Sequence, residues 1–213
     1  MPPVVSIVGK SSTGKTTFLE KLLRELAARG YKVATIKHSH HSLSFDDPSK
    51  DSFRHAQAGA AATMVSSTTS FQIIKPVSHE LTIDDLARNF GEEYDLILTE
   101  GFSRGNAPKV EIHRKEAGPL LEVASNLFAI VTDETLETET QQFGMDDVKG
   151  VTTLIEERFI RPSRERAYLY LNGKIFTLAA IPDQFILDLL GLVPVGLKEV
   201  EPLADLEFRY HKG

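Results

Sequence analysis

The octapeptide at residues 9–16 constrains the fold of this chain more than any other feature. Its sequence, GKSSTGKT, matches the pattern G-x-x-x-x-G-K-[ST]. An apolar segment at residues 4–8 precedes it and predicts a buried strand, and leucines at helical spacing follow it and predict an amphipathic helix. Backbone N–H groups in such a loop, together with the helix N-terminus, hold a phosphate group. The segment therefore predicts a phosphate-binding loop (P-loop) within an α/β fold.

Individual residues of the P-loop suit contacts with a nucleotide and its metal ion. Lys15 is expected to reach the β- and γ-phosphates, and the Thr16 hydroxyl is expected to ligate Mg²⁺. Lys15 and Glu100, which is discussed below, are the expected catalytic residues. The expected nucleotide-binding residues of the loop are Gly9, Lys10, Ser11, Ser12, Thr13, Gly14, Lys15, Thr16 and Thr17.

Composition narrows the classes of protein and of site that remain open. The chain has 213 residues and a net charge of −6, so neither a broad nucleic-acid surface nor a membrane-binding patch is expected. It contains no cysteine, which excludes disulfides, a thiolate nucleophile and cysteine-ligated metal sites. Because no long apolar span or secretory leader is found, we expect a cytoplasmic protein.

The order of predicted elements describes a P-loop NTPase with a mostly parallel, helix-covered sheet at residues 1–162. A smaller α+β module of the ββαβ type is predicted at residues 166–213, where Asn172-Gly173 suits a type I′ turn between two strands. Predicted strands lie at residues 4–8, 33–36, 63–66, 70–75, 95–99, 109–113, 127–131, 167–171, 174–178 and 206–210. Predicted helices begin after the P-loop and lie at residues 51–62, 82–89, within 146–159, and at 182–190.

Two acidic residues stand where predicted buried strands end. Glu100 follows an apolar run, and a carboxylate there can hold Mg²⁺ through water or orient an attacking water, whereas Asp95, at the start of the same run, is expected to be structural. Asp133 ends another strand and could accept the N1 and N2 hydrogens of guanine. The alternative for Asp133 is an exposed loop aspartate, since no Asn-Lys-x-Asp string accompanies it.

A histidine-rich segment follows the second strand. Lys37 and His38, with His40 and His41, are expected to form an anion-binding lip beside the phosphates, in preference to a zinc site. Asp51 is the preferred third member of the Mg²⁺ shell, ahead of Asp46 and Asp47, and the alternative for each is an N-cap or a solvated turn.

The second residue of the P-loop is a lysine. The segment GKSSTGKTT resembles the deviant Walker A motif of dimeric nucleotidases, in which a lysine at the position of Lys10 can reach the partner's nucleotide. Serines replace the two glycines that follow it in that class. The alternative is a solvated lysine near the phosphates.

Four segments in order, GKSSTGKTTFLEKL, IKHSHH, KDSFRHAQAGA and LILTEGF, resemble the MobB family of molybdopterin-guanine dinucleotide biosynthesis. The resemblance covers roughly residues 4–160, and it implies GTP and Mg²⁺ as cofactors and a homodimer. It also implies work with a MobA-like nucleotidyltransferase that joins GMP to molybdopterin. Family members commonly carry a lysine directly after EGF, and here Ser103-Arg104 follows Phe102, so arginine is expected to take the basic role.

We therefore expect a GTP-binding adapter that binds GTP·Mg²⁺, or at most a weak GTPase, because no glutamine or arginine finger is evident around the P-loop. One alternative is a small-molecule kinase or ligase that uses the histidine-rich segment as its acceptor site. Another is a protein that reports its nucleotide state to a partner without turnover. Sheet edges for dimer pairing are expected at residues 63–75 and 109–113.

Overall fold

The structure, a computed structural model, describes residues 1–39, 51–91, 93–121, 125–164, 167–171, 174–178 and 206–210. Its strands are β1 Val4–Val8, β2 Val33–Lys37, β3 Thr63–Ser66, β4 Phe71–Ile74, β5 Leu96–Glu100, β6 Lys109–Ile112, β7 Leu127–Thr132, β8 Gln141–Gly144, β9 Ala167–Leu171, β10 Lys174–Leu178 and β11 Leu206–Tyr210. Its helices are α1 Lys15–Ala28, α2 Asp51–Gln57, α3 Ile83–Ala87, α4 Val148–Ile155 and α5 Arg161–Arg164. A π-helical segment, Glu156–Ile160, joins α4 to α5, and single 3₁₀ turns lie at Arg88–Phe90 and Lys115–Ala117.

Six of these strands form one parallel sheet in the order β2-β5-β1-β6-β7-β8. The predicted α/β fold is therefore confirmed. Strand β1 lies inside the sheet, between β5 and β6, so the loop that follows it opens at the carboxyl edge beside the ends of both neighbours. In open parallel sheets this edge is where ligands bind.

Helices α1 and α4 cover one face of the sheet. Strands β1, β5 and β7 are largely apolar because helices cover both faces of a parallel sheet. The α1 residues Phe18, Leu22 and Leu26 are almost fully buried and pack against β1, β5 and β6. Helix α1 ends in a Schellman motif, in which Gly30 has φ 83° and its N–H donates to Ala27 O, as its predicted C′ position requires.

Helix α3 and the turn after it cover part of the opposite face, where Ala87 packs against Ala34, Ile36 and Ile97. The helix begins with a capping box, in which the side chains of Thr82 and Asp85 each accept a hydrogen bond from the other's backbone N–H. This box fixes the chain direction at the start of a short helix.

Strand β6 has one apolar and one polar face, and both are buried. Val110 and Ile112 belong to the core under α1, whereas Lys109 and Glu111 point to the other side and are 0% and 1% exposed. Burial lowers the pKa of Lys109. Its ammonium donates to the carbonyl oxygens of Gly105, Ala107 and Ser125. The Glu111 carboxylate accepts from Leu121 N at 2.8 Å, so this polar face holds the flanking segments against the sheet.

The structure departs from several predicted boundaries. Strand β8 was not predicted, because its sequence, QQFG, has no apolar periodicity. Helix α2 was predicted to reach residue 62, but it ends at Gln57 because Gly59, with φ 102°, turns the chain. None of the residues of α2 is buried. Strand β6 is interior to the sheet, so the expectation of a pairing edge at residues 109–113 was wrong.

The three C-terminal strands are present as predicted, with β9 antiparallel to both β10 and β11. The Asn172-Gly173 turn and the helix expected at residues 182–190 lie outside the described residues. The division into units of 1–162 and 166–213 stays a prediction. In the described part of the chain, no helix has the length and apolarity needed to cross a bilayer.

A buried carboxylate joins the two helices on the first face of the sheet. Glu156 is 9% exposed and accepts hydrogen bonds from Arg29 at 2.9 Å and from Arg161 at 2.8 Å. These guanidinium groups, Arg29 foremost, lower the pKa of Glu156 to about 2. Arg29, at the end of α1, also donates to Thr153 of α4 at 3.0 Å, so the cluster ties α1 to α4.

Replacing this carboxylate with an amide should therefore destabilise the fold in a pH-dependent way. We expect Glu156→Gln to lower the free energy of unfolding by about 2 kcal/mol near neutral pH. A carboxylate with a depressed folded-state pKa contributes stability above its unfolded-state pKa, here 4.5, and loses it as the pH falls towards about 2. Urea denaturation near neutral pH and below about pH 3 should thus show the difference between variant and parent shrinking in acid.

The matched control is Glu20→Gln, since Glu20 pairs with Arg24 on the exposed surface at 3.6 Å. It should change stability by less than about 0.5 kcal/mol at either pH. Equal losses in the two variants would show that the buried cluster contributes no more than a surface pair.

Candidate functional site

The loop between β1 and α1 has the backbone geometry of a phosphate cradle. Gly9, Ser12 and Gly14 adopt φ values of 145°, 64° and 93°. A Cβ atom at Gly9 would stand 2.3 Å from Ile112 O, so only glycine fits where the loop passes β6. Alternation between left- and right-handed residues turns successive backbone N–H groups towards one concavity.

Lys15 lies across the loop. Its ammonium donates to Lys10 O at 2.6 Å, and the Thr13 hydroxyl donates to the same oxygen at 3.0 Å. Burial lowers the pKa of Lys15, an effect that the nearby Glu100 carboxylate opposes. Thr13 is 2% exposed, so its side chain is not accessible to a ligand. The exposed polar side chains at this mouth are those of Ser11, Ser12, Thr16 and Thr17.

Thr16 and Glu100 lie in direct contact. The Thr16 hydroxyl donates to Glu100 Oε1 at 2.8 Å, and Lys37 Nζ lies 3.6 Å from Glu100 Oε2. The three residues meet because β5 pairs with β1 and β2 in a register that sets Glu100 opposite Ile7 and Lys37. A hydroxyl and a carboxylate beside a phosphate loop are oxygen donors of the kind that Mg²⁺ takes, so the donor set fits this ion.

Asp51 does not join this pair of oxygen donors. It begins α2, its side chain is 85% exposed, and its carboxylate lies 3.3 Å from Arg54 Nη1. In the described residues, no group of three histidine or acidic side chains is close enough to hold a metal ion. The assignment of Asp51 to the Mg²⁺ shell thus gains no support. The two other candidates, Asp46 and Asp47, lie outside the described residues.

Lys37 and His38 face different surroundings, although they are adjacent. Lys37 lies at Glu100, whereas His38 Nε2 lies 3.3 Å from Glu80 and its ring centroid lies 4.6 Å from that of Phe102. Consecutive residues at a strand end point to opposite faces of the sheet, so the two cannot line one lip. His40 and His41, on which the zinc and acceptor-site alternatives depend, lie outside the described residues.

Asp133 follows β7 and forms two contacts with the segment after β6. Its carboxylate accepts from Lys115 N at 2.9 Å and from Arg114 Nη1 at 3.2 Å. The Lys115 hydrogen bond and the Arg114 guanidinium lower the pKa of Asp133, so this group is a carboxylate at neutral pH. Asp95 is structural as expected, because it accepts from Lys32 N at 2.8 Å at the opposite edge of the sheet.

Arg114 is a site residue that the sequence analysis missed. Its Nε donates to Thr13 O at 3.3 Å, while its Nη1 contacts Asp133, so it bridges the P-loop and the end of β7. The rule that selected Glu100 and Asp133, a charged residue where a buried strand ends, would also have selected Arg114.

Lys10 is held within its own chain. Its ammonium donates to Ala117 O at 2.9 Å, in the 3₁₀ turn that follows β6. In this structure the side chain thus points along β6 rather than outward towards a second molecule, and its reach across a dimer stays a prediction.

Comparison with known proteins gives one consistent family. The family profile described as MobB, molybdopterin guanine dinucleotide synthesis protein B, matches residues 4–133. The chain is 35% identical over 156 residues to the molybdopterin-guanine dinucleotide biosynthesis adapter protein of Haemophilus influenzae, covering 72% of this chain and 88% of that protein. The Escherichia coli protein of the same name is 34% identical over 163 residues, covering 74% and 93%.

Solved structures agree with the sequence comparison. The crystal structure of a molybdopterin-guanine biosynthesis protein B (mobB) superposes with a TM-score of 0.59 at 28% identity, over 72% of this chain and 98% of that one. The crystal structure of Bacillus subtilis MobB gives a TM-score of 0.58 at 28% identity, over 74% and 98%. The resemblance found in the sequence is therefore confirmed.

The passage of the loop beside β6 gives a stability prediction. We expect Gly9→Ala to lower the free energy of unfolding by more than about 2 kcal/mol, because the methyl group meets a backbone carbonyl in addition to the strained φ. Gly30→Ala is the matched control, since Gly30 also has positive φ but a Cβ there meets nothing within 4 Å. It should cost about 1 kcal/mol in urea denaturation, and equal costs would contradict the close approach.

Proposed function

This chain belongs to the MobB family of molybdopterin guanine dinucleotide synthesis proteins, and we propose that it serves that synthesis as a GTP-binding adapter. The observation that carries the proposal is the contact of the Thr16 hydroxyl with Glu100 at the mouth of the P-loop. In this contact, a hydroxyl and a carboxylate that would together bind a metal ion lie beside a loop with the backbone geometry of a phosphate site. Adapter proteins of molybdopterin-guanine dinucleotide biosynthesis in Haemophilus influenzae and Escherichia coli align with the chain over more than two thirds of its length.

The P-loop supplies the phosphate contacts of the proposed complex. Lys15 would exchange its bond with Lys10 O for the β- and γ-phosphates, and backbone N–H groups of the loop would hold the remaining oxygens. Thr16 and Glu100 would hold Mg²⁺, which, when bound, neutralises charge on the phosphates. The side chain of Lys37 adds a second positive charge on the same side.

Asp133 supports guanine as the base. An ionised carboxylate accepts two N–H groups from guanine N1 and N2, and adenine presents no matching pair of donors. Asp133 is ionised at neutral pH and is linked to the P-loop through Arg114. In this proposal the Arg114 guanidinium would take the place of the lysine in an Asn-Lys-x-Asp string, which this sequence lacks.

Hydrolysis in this proposal is slow and the chief role is assembly. Lys15 and Glu100 would act on the terminal phosphate in this proposal, and the sequence around the P-loop offers no glutamine to orient water. We place the chain beside a MobA-like nucleotidyltransferase, to which it would present nucleotide or molybdopterin.

A homodimer is part of the proposal. The hairpin of β3 and β4 exposes large apolar side chains, and its pairing places Met64, Phe71 and Ile73 on one face. These three are 61%, 69% and 54% exposed. A second copy of the same hairpin would bury this face, since neighbouring exposed apolar side chains mark interaction surfaces.

Nucleotide titration tests the proposed function directly. We expect the purified chain to bind GTP more tightly than ATP, and Lys15→Ala or removal of Mg²⁺ by a chelator to weaken GTP binding by at least about tenfold. Isothermal calorimetry measures both effects. The control is Lys21→Ala, a lysine of α1 that pairs with Asp146 at 2.9 Å and should leave binding unchanged.

The same titration has a base-selectivity arm. Asp133→Asn should weaken GTP binding about tenfold and improve binding of xanthosine triphosphate, because an amide donates where xanthine carries an oxygen. Asp146→Asn is the control on an exposed aspartate. The proposal would be contradicted if the parent chain did not bind GTP. It would also be contradicted if Lys15→Ala and Asp133→Asn both bound GTP as tightly as the parent.

The dimer has its own test. Light scattering should give the mass of two 23.6 kDa chains for the parent and of one chain for Phe71→Asp, because a buried charge opposes the apolar contact. Thr69→Asp, in the turn of the same hairpin, should leave the dimer intact. A parent protein with the mass of a single chain at micromolar concentration would exclude the homodimer.

A further inference from the structure

A second concave site lies on the sheet face opposite α1. It has a volume of about 950 Å³ and opens between α3 and the segment at residues 102–108, which connects β5 to β6. Its side walls carry His38, Glu80, Asp84, Phe102 and Arg104. This volume is within the roughly 300–1,000 Å³ of small-molecule sites, and the lining combines apolar with charged groups as such sites do.

The cavity adjoins the metal end of the nucleotide site. His38 in its wall follows Lys37, and the His38 backbone N–H donates to Glu100 O at 3.0 Å. Phe102, two residues beyond Glu100, packs its ring on that of His38. The cavity is thus linked to Glu100 through His38, and it extends along this face of the sheet to Met1 and Pro2, which precede β1.

The wall formed by residues 102–108 is fixed from beneath. The fully buried ammonium of Lys109 donates to the carbonyl oxygens of Gly105 and Ala107. A Cβ at Gly105 would lie 3.1 Å from Ile83 Cδ1, so the segment passes close to α3. A wall held in this way loses little conformational entropy when a ligand binds, which favours affinity.

Two charged side chains of the cavity are unpaired. In the described residues, neither the Arg104 guanidinium nor the Asp84 carboxylate has a hydrogen bond or an ion pair, although other charged groups nearby do. Arg104 stands on the connecting segment and Asp84 on α3, so the two charges face the cavity from opposite walls. Guanidinium groups suit phosphates, and a carboxylate suits a planar pair of N–H donors.

We propose that this cavity is a second ligand site, which holds a phosphorylated pterin while the P-loop holds the nucleotide. A pterin presents a 2-amino-4-oxopyrimidine edge with adjacent N–H donors, which Asp84 would accept. Arg104 would bind the phosphate, and the flat ring would pack against the aromatic wall of Phe102 and His38. The inference rests on the proposed function, in which molybdopterin is the second component.

Neopterin monophosphate is the probe, because it is a stable, fluorescent pterin with a phosphomonoester. The full chain, saturated with a non-hydrolysable GTP analogue, is titrated with this probe and followed by fluorescence anisotropy. We expect neopterin without phosphate to bind about tenfold more weakly, and inorganic phosphate or GMP not to displace the probe at equal concentration. Hydrogen exchange should slow at residues 80–84 and 102–107 when the probe binds.

Variants locate the contacts. Arg104→Gln and Asp84→Asn should each weaken probe binding by about tenfold, and GTP affinity should stay within about twofold of the parent. The matched control is Arg88→Gln, since Arg88 follows α3, is 61% exposed at its side chain and does not line the cavity. It should leave both affinities unchanged.

The outcomes separate this inference from the proposed function. If the parent binds GTP but not neopterin monophosphate, or if Arg104→Gln and Asp84→Asn bind the probe as the parent does, the cavity is not the pterin site and the GTP-binding function stands. If the probe binds with the expected pattern while GTP does not bind, the cavity assignment stands and the GTP proposal falls. Displacement of the probe by GMP at equal concentration would overturn the assignment by showing a site for the nucleotide itself.

Discussion

The parallel pairing of β1 with β5 on one side and β6 on the other is the interaction on which the rest of the structure depends. It aligns the ends of five neighbouring strands of the sheet at one edge, where four of them contribute a charged residue and β1 contributes the P-loop. These groups are Lys37 at the end of β2, Glu100 at the end of β5, the P-loop after β1, Arg114 after β6 and Asp133 after β7. The contacts among them are short because the register is fixed by buried apolar side chains on both faces.

The polar face of β6 shows what this arrangement requires from the core. A fully buried lysine and a buried glutamate are costly unless their hydrogen-bonding groups find partners. Lys109 finds three carbonyl oxygens, and Glu111 accepts one backbone N–H while burial raises its pKa. An apolar pair would remove this cost, but it could not bind the backbone at Gly105, Ala107, Leu121 and Ser125. Gly105 and Ala107 belong to the cavity wall, so the buried charge of Lys109 fixes the position of that wall.

Much of the fold was predictable from the sequence because its pattern is local. The P-loop, the apolar run that ends at Glu100 and the Gly30 C-cap each depend on residues within one or two turns of each other, and the structure has them where the pattern predicted. Strand β8 was not predictable in this way, since neighbouring β7 rather than its own polar sequence makes it a strand. The extent of α2 was overestimated because its apolar spacing continues beyond Gln57, although Gly59 turns the chain.

The candidate site was predictable to a lesser degree, for a physical reason. The sequence could predict that Thr16 and Glu100 lie close together, because the carboxyl end of a parallel strand and the P-loop are expected at the same edge of the sheet. The bridge from Arg114 to Thr13 and Asp133 joins residues about 20 and 100 positions apart, and only the register of β6 and β7 brings them together. The separation of Lys37 from His38 likewise depends on which face each side chain takes at the end of β2.

The two proposed ligand sites are linked through one residue, and this link has a thermodynamic consequence. Glu100 accepts from Thr16 with its side chain and from His38 N with its backbone carbonyl, so it joins the proposed metal-binding pair to a residue of the cavity wall. Binding of Mg²⁺ and nucleotide would replace the hydrogen bond from Thr16 and alter the position of Glu100. Any such shift reaches His38 and the ring of Phe102 through contacts already present. If nucleotide binding changes the affinity of the cavity for its ligand, that ligand must change the affinity for nucleotide by the same factor, because one coupling free energy describes both effects. An adapter with this coupling would bind its second ligand most tightly in one nucleotide state. The nucleotide state would then control release of that ligand without any further conformational element.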